Sequence, residues 1–95
     1  MRSRYSWEDV VSAVEQVCGK SWEALQKRGE WERYLAYWGA QKYAGMTLKE
    51  IAATCGFKDY GAVNMGVRRL MERGSKEKIV RERQDELDEK FKVQT

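Results

Sequence analysis

Polar side chains that could read DNA bases lie on one predicted helix of this 95-residue sequence. A helix that begins near Lys58 or Asp59 would bury one apolar line, formed by Val63, Val67 and Leu70, with Met71 also on the inward face. The opposite face would carry Gly61, Asn64, Met65 and Arg68, with Arg69 on one flank. An asparagine amide pairs with adenine N6 and N7, an arginine guanidinium pairs with guanine O6 and N7, and an apolar side chain contacts the thymine methyl. The pattern indicates base recognition in the major groove.

A shorter helix precedes this one, and the pair has the layout of a helix-turn-helix over about residues 47–71. Thr47 and Glu50 form a capping-box pattern at the start of the first helix, and Gly56 lies in a turn of about three residues. In such motifs the second helix enters the major groove. The backbone N–H groups at Thr47 and at Asp59-Tyr60 are predicted phosphate sites, and Gly61 would let the backbone approach DNA closely.

The elements that must position these side chains are all predicted to be helices. The sequence has no proline, and the glycines that follow an apolar period predict helix ends at Gly19, Gly29, Gly45, Gly56 and Gly74. Neither an alternating strand pattern nor a hairpin turn signal appears in the sequence. We therefore expect a single all-α domain over residues 1–95, compact and built from five to six helices.

Two of these helices carry more specific packing expectations. Gly39 lies inside the helix predicted from about Trp31 to Tyr43, and an interior glycine costs about 1 kcal/mol relative to alanine unless a neighbouring helix packs closely there. Ser75 is expected to cap a charged C-terminal helix over about residues 75–92. Its thin apolar stripe includes Ile79, Leu87 and Phe91.

Aromatic and sulfur-containing side chains are expected in the core. Their helical spacing predicts burial of Trp7, Trp22, Trp31 and Trp38, and of Cys18 and Cys55. Between the second and third helices, the segment Lys27-Arg28-Gly29-Glu30 predicts a flexible loop.

The composition excludes several classes of chemistry. The absence of histidine excludes His-ligated metal sites and an imidazole base, and two cysteines cannot form a Cys₄ zinc site. Neither a nucleophile–base pair nor a glycine-rich phosphate loop is visible. The sequence has no run of about 18 apolar residues and no apolar signal-peptide core. We therefore expect a cytoplasmic binding protein with no catalytic residues, no metal, no cofactor and no membrane contact.

The charge distribution favours a nucleic acid as the partner. The whole chain has a net charge of +3, from 18 Lys and Arg against 15 Asp and Glu. From Gly56 to Arg83 there are eight basic and four acidic residues, a local excess of +4 (8 − 4), whereas the last twelve residues are acidic in balance. A basic region beside a candidate recognition helix is typical of phosphate contact.

The same segment resembles a known DNA-binding domain. The motifs Leu48-x-Glu50-Ile51 and Gly56-x-Lys58-Asp59-x-x-x-Val63, with Val67-Arg68-Arg69-Leu70 after them, are similar to the C-terminal domain of the bacterial replication initiator DnaA. They are equally similar to the related tail domain of REP-associated transposases. The resemblance extends from about Ser6 to Leu87 and implies a Trp-repressor-like helix-turn-helix fold that binds double-stranded DNA.

The resemblance also implies roles for individual residues. Lys58 and Asp59 match the Arg-Asp pair before the recognition helix, and Tyr60-Gly61-Ala62 matches its first recognition positions. The latter segment replaces the initiator's His-Thr-Thr and is closer to the transposase tail. Lys27-Arg28 falls in the basic loop that reaches the minor groove, although this loop is about four residues shorter than the initiator's. Arg33 matches an arginine of the long helix that contacts phosphate.

Two function classes compete at this stage. The first is sequence-preferring binding to duplex DNA, with contacts expected from Lys27, Arg28, Arg33, Thr47, Lys58, Asp59, Tyr60, Gly61, Asn64, Arg68 and Arg69. The second is a protein–protein interaction module on the same fold, which would use exposed Met65 or the C-terminal helix for a protein partner or self-association. A hydrolytic or transfer enzyme is a distant third.

Overall fold

Six helices make up the secondary structure of the part of the chain that the computed structural model describes, residues 5–28 and 31–91. They are α1 (Trp7–Cys18), α2 (Trp22–Arg28), α3 (Glu32–Tyr43), α4 (Leu48–Cys55), α5 (Gly61–Lys76) and α6 (Lys78–Phe91). Those two stretches contain no strand. The predicted all-α class and the upper end of the predicted helix count are confirmed.

Local capping explains where several of these helices begin and end. Ser6 and Thr47 each form a complete capping box, in which the hydroxyl accepts the N–H of the third helical residue and that residue's carboxylate accepts the cap N–H. Gly19 and Gly56 adopt left-handed conformations at the helix ends, with φ of 66° and 82°. The predicted helix ends at these two glycines are confirmed, whereas Gly29 lies outside the described residues.

The predicted helix end at Gly74 is wrong, because α5 continues through it to Lys76. The break comes at Glu77, whose backbone is extended with φ −112° and ψ 121°. Gly74 is buried, and a Cβ there would lie 2.6 Å from Gln84 Oε1, so the glycine makes room for α6. The Ser75 hydroxyl donates to the Glu72 carbonyl within α5 and caps no helix. The C-terminal helix therefore spans 78–91 rather than about 75–92.

The apolar stripe of α6 is also displaced from its predicted position. Val80 is fully buried together with Leu87, and Phe91 is 7% exposed, whereas Ile79 is 43% exposed. Val80 faces α5, where its Cγ1 lies 3.8 Å from the position of a Cβ on Gly74. Leu87 and Phe91 are buried as expected.

The helices share one core, to which each of the six contributes a buried side chain. α3 lies at its centre and contacts each of the other five helices. A Cβ on Gly39 would lie 3.0 Å from Val10 Cγ1 and 3.3 Å from Leu87 Cδ2. The close approach predicted at Gly39 is confirmed, and it places α1, α3 and α6 against one another.

The four tryptophans and both cysteines are less buried than expected. All six are partly buried and pack against the rim of the core. The Trp7 and Trp22 rings meet edge to face with centroids 5.7 Å apart, which joins α1 to α2. Among the described residues, no helix is long and apolar enough to cross a membrane.

Candidate nucleic-acid interface

The first helix of the candidate interface is fixed by its two caps and its buried face. α4 buries Ile51 and Ala52 against the core. After Gly56, the Phe57 N–H donates to the Ala52 carbonyl over 2.9 Å, and this bond turns the chain away from the helix axis. The turn that follows exposes Phe57, Lys58, Asp59 and Tyr60.

The Thr47 backbone N–H, which was predicted to bind phosphate, already has an acceptor. It donates to Glu50 Oε1 over 2.8 Å, while Thr47 Oγ1 accepts the Glu50 N–H over 3.1 Å. The first four N–H groups of a helix have no intrahelical acceptor. At this end of α4, the N–H groups of Leu48 and Lys49 are therefore better placed than that of Thr47 to meet an anion.

The second helix begins two to three residues later than predicted, at Gly61. Tyr60 occupies the capping position, and Asp59 Oδ1 accepts the Gly61 N–H over 2.8 Å. Asp59 thus provides a hydrogen-bond acceptor for the first backbone N–H of α5, although it lies one residue before the N-cap position. The first turn of α5 contains no acidic side chain, so the positive end of the helix dipole has no carboxylate within that turn.

The two faces of α5 divide as the helical spacing predicted, except at Met71, which was expected on the inward face and is 53% exposed. Val63 and Leu70 are fully buried, and Val67 is half-buried. On the outer side Gly61, Met65, Arg68 and Arg69 are exposed, and Asn64 is half-buried. The structure therefore brings the candidate base-reading side chains together on one accessible face of α5.

Gly66 determines how closely this helix approaches α3. A Cβ at this position would lie 2.7 Å from Tyr34 Cδ1 and 3.0 Å from Tyr37 Cδ2. Real Cβ atoms essentially never make contacts as short as the first. The absence of a side chain at Gly66 therefore lets α5 lie directly on the two tyrosine rings.

Ion pairs divide the basic residues of the segment 56–83 into two groups. In the first group, Arg73 near the end of α5 pairs with Glu77 at 3.0 Å. On α6, Lys78 pairs with Glu82, and Arg83 pairs with Glu86. Within residues 5–28 and 31–91, Lys58, Arg68 and Arg69 form no ion pair. Positive charge that no carboxylate neutralises therefore lies on the turn before α5 and on the outer face of α5.

Arg33 and Arg69 come from different helices and line one groove. This α3–α5 groove has a volume of ≈ 380 Å³, and its walls include Arg33, Tyr34, Tyr37, Phe57, Met65 and Arg69. The Arg33 guanidinium lies 5.1 Å from the Tyr34 ring centroid, and its Nη2 donates to the Tyr34 hydroxyl over 3.5 Å. The groove thus has two arginines and three aromatic rings.

Two other groups in the groove remain protonated at neutral pH. Burial raises the pKa of the Tyr37 hydroxyl to about 12, and burial also raises the pKa of the Cys55 thiol. Among the described residues that line the groove there is no aspartate or glutamate. Among these described wall residues, the charged side chains are those of Arg33 and Arg69.

The basic loop predicted at Lys27-Arg28 is wrong in one respect, because both residues belong to α2. Lysine and arginine are good helix formers, and the first stop signal after the start of α2 is Gly29. Lys27 is exposed in the last turn of the helix. The remainder of the predicted loop, Gly29 and Glu30, lies outside the described residues.

Phe57 is the interface residue that the sequence interpretation missed. It is 39% exposed, and its ring meets the Tyr37 ring edge to face with centroids 6.4 Å apart. It lines the α3–α5 groove and a second groove of ≈ 340 Å³ that continues along Lys58, Asp59 and Tyr60. An aromatic residue in a polar turn, outside the apolar period of either helix, is the signal that could have identified it.

Comparison of the chain with protein-family models, with curated proteins and with solved structures finds no match. Within the described stretches, no three metal-ligating side chains come together in a group.

Proposed function

We propose that this protein binds double-stranded DNA through α5, with some preference for sequence. The observation that carries the proposal is the outer face of α5. From Gly61 to Met71 this helix has no acidic residue, and it presents Asn64, Arg68 and Arg69 beside an exposed turn. An amide and a guanidinium on one accessible helix face supply the bidentate groups that distinguish adenine and guanine in the major groove.

The surrounding residues supply contacts to the DNA backbone in this proposal. Lys58 and Tyr60 lie in the exposed turn, and Arg33 is held against Tyr34 at the edge of the same surface. Lys27, which is exposed in the last turn of α2, would reach a neighbouring groove or phosphate. Asp59 acts here as a cap that orients α5, and Gly61 provides a backbone surface without a Cβ.

The sequence resemblance supports the same function and narrows its setting. Motifs shared with the replication initiator DnaA and with the tails of REP-associated transposases favour a bacterial DNA-binding module that acts in replication initiation or transposition. The proposed activity is binding, with no chemical step and no cofactor.

Selection from a random duplex pool at two salt concentrations tests the proposal. We expect enrichment of a common short sequence at the higher salt concentration and broader retention at the lower one, because each phosphate contact releases counterion and weakens as salt rises. Retention of no duplex at the lower salt concentration would contradict DNA binding. Retention without enrichment at either concentration would reduce the proposal to non-specific binding.

A protein–protein interaction module is the second candidate, and exposed apolar side chains favour it. Tyr60, Met65, Met71 and Ile79 are each between 43% and 53% exposed. Exposed aromatic residues and methionines are enriched in protein interfaces. A partner or a second copy that binds across α5 or α6, together with no salt-dependent retention of DNA, would favour this alternative.

A further inference from the structure

We propose that the α3–α5 groove binds one unpaired nucleotide, with the base against Phe57 and the phosphate contacted by Arg33 and Arg69. The inference rests on the proposed DNA binding and extends it from paired DNA to a duplex that has a frayed, bulged or single-stranded nucleotide beside the bound site. Three properties of the groove support this occupant: its charge, its aromatic walls and its position.

The charge of the groove selects an anion. Arg33 and Arg69 line it from α3 and α5, and no carboxylate lies among its described walls. Neither arginine forms an ion pair within residues 5–28 and 31–91. A guanidinium binds phosphate with two parallel hydrogen bonds, and arginine is the residue type best suited to that geometry.

The aromatic walls select a planar partner. Tyr34 and Tyr37 line it as buried residues, whereas Phe57 is 39% exposed and is the aromatic wall most accessible to a partner. Stacking on an aromatic side chain is sequence-tolerant, because every base has a π-face. An extended peptide would leave the two guanidinium groups without an anion unless it were phosphorylated or acidic.

The position of the groove connects it to the recognition helix. Met65 and Arg69 line it and also belong to the outer side of α5 that carries Arg68. A base leaving a duplex bound along that face could therefore enter the groove without losing the neighbouring contacts. Paired bases are stacked within the duplex and cannot do so, which makes an unpaired nucleotide the specific occupant.

Equilibrium binding of the full chain to two probes tests the inference. One probe is a mixed-sequence duplex with a short single-stranded tail, and the other is the same duplex extended by an equal number of paired nucleotides. We expect the tailed probe to bind about tenfold more tightly, because stacking of a base on an aromatic ring contributes on that scale. Equal affinity for the two probes would overturn the inference and leave the proposed duplex binding intact, whereas no binding to either would contradict both.

Matched variants assign the effect to the groove. Phe57→Leu keeps an apolar side chain in an exposed position and should abolish most of the advantage of the tail. Tyr60→Leu alters another exposed ring of the same turn that does not line the groove, so it should weaken the binding of both probes alike and leave the ratio of their affinities unchanged. Arg69→Gln should reduce the advantage, whereas Arg81→Gln on the exposed part of α6 should preserve it. A tail advantage that survives Phe57→Leu would overturn the assignment.

Cysteine alkylation provides an independent measurement on the unmodified chain. Cys55 lines the groove, whereas Cys18 on α1 does not. A short single-stranded oligonucleotide should slow the alkylation of Cys55 and leave the rate at Cys18 unchanged. Equal protection of both cysteines, or of neither, would contradict occupancy of the groove.

Discussion

Gly66 on α5 faces Tyr34 on α3 so closely that a Cβ on the glycine would lie 2.7 Å from the tyrosine Cδ1. This contact determines the distance between the two helices that form the α3–α5 groove, and it places the candidate recognition helix on the core. We therefore expect Gly66→Ala to lower the free energy of unfolding by about 1–3 kcal/mol, because overpacking outweighs the better helix propensity of alanine. Urea denaturation measures the difference.

Gly74→Ala is the matched control on the same helix. A Cβ there would meet the flexible end of the Gln84 side chain, which can move aside. We expect this variant to change stability by less than about 1 kcal/mol, because the gain in helix propensity offsets the adjustment. A Gly66→Ala protein as stable as the wild type would show that α5 can shift on the tyrosine rings at little cost.

Thr47→Ala should destabilise the fold by about 1 kcal/mol, because it removes the hydroxyl that accepts the Glu50 N–H. Thr47→Ser keeps the hydroxyl and should retain most of the stability. Thermal unfolding of the three proteins at one pH measures the effect. An equal loss of stability in both variants would show that Thr47 stabilises the fold through its methyl group and not through its hydroxyl.

Arg68→Ala should weaken binding to a selected DNA sequence more than binding to random DNA, because a bidentate base contact contributes about 1–3 kcal/mol of discrimination. Lys27→Ala should weaken both alike and reduce the salt dependence, as expected for a phosphate contact. Titration of each variant with the two DNAs at several salt concentrations separates these effects. Equal losses on both DNAs from Arg68→Ala would remove its base-reading role.

The contribution of Tyr37 to the stability of the protein should fall as the pH rises above about 10. Burial raises the pKa of Tyr37 from 10.0 to about 12, so between these values the unfolded chain loses a proton that the folded chain keeps. Below this range both states hold the proton and its contribution is constant. The expected slope from Tyr37 is up to about 1.4 kcal/mol per pH unit.

Tyr37→Phe should flatten this decline, whereas Tyr60→Phe, on an exposed ring, should leave it unchanged. Burial also raises the pKa values of Cys18, Cys55 and Tyr43, and these three residues are present in all the proteins being compared. Urea denaturation at a series of alkaline pH values gives the slopes. An identical slope in the wild type and in Tyr37→Phe would contradict the assignment.

Much of the helical framework could be predicted from local signals. Each of the two capping boxes depends on only four consecutive residues, and both form as expected: Ser6 with Asp9, and Thr47 with Glu50. The outer face of α5 follows from the 3.6-residue period of Val63, Val67 and Leu70. The resemblance and the DNA contacts that it implies stay predictions.

Contacts between distant segments account for the failures. Gly74 has the sequence signature of a helix end, yet α5 continues through it to Lys76 and Gly74 is buried against Gln84 and Val80 of α6. The same contact buries Val80 in place of Ile79. Neither outcome could be derived from spacing, because each depends on a side chain that reaches across from another helix.

The sequence by itself determined the all-helical class, the two capped helix starts and the face on which Asn64 and Arg68 lie. Each of these depends on residues within one or two turns of the same helix. Only the tertiary structure decided that Arg33 of α3, Arg69 of α5 and Phe57 line the same groove. That arrangement depends on how closely α5 packs on α3, and this distance is determined by Gly66 against residues more than 25 positions away in the chain.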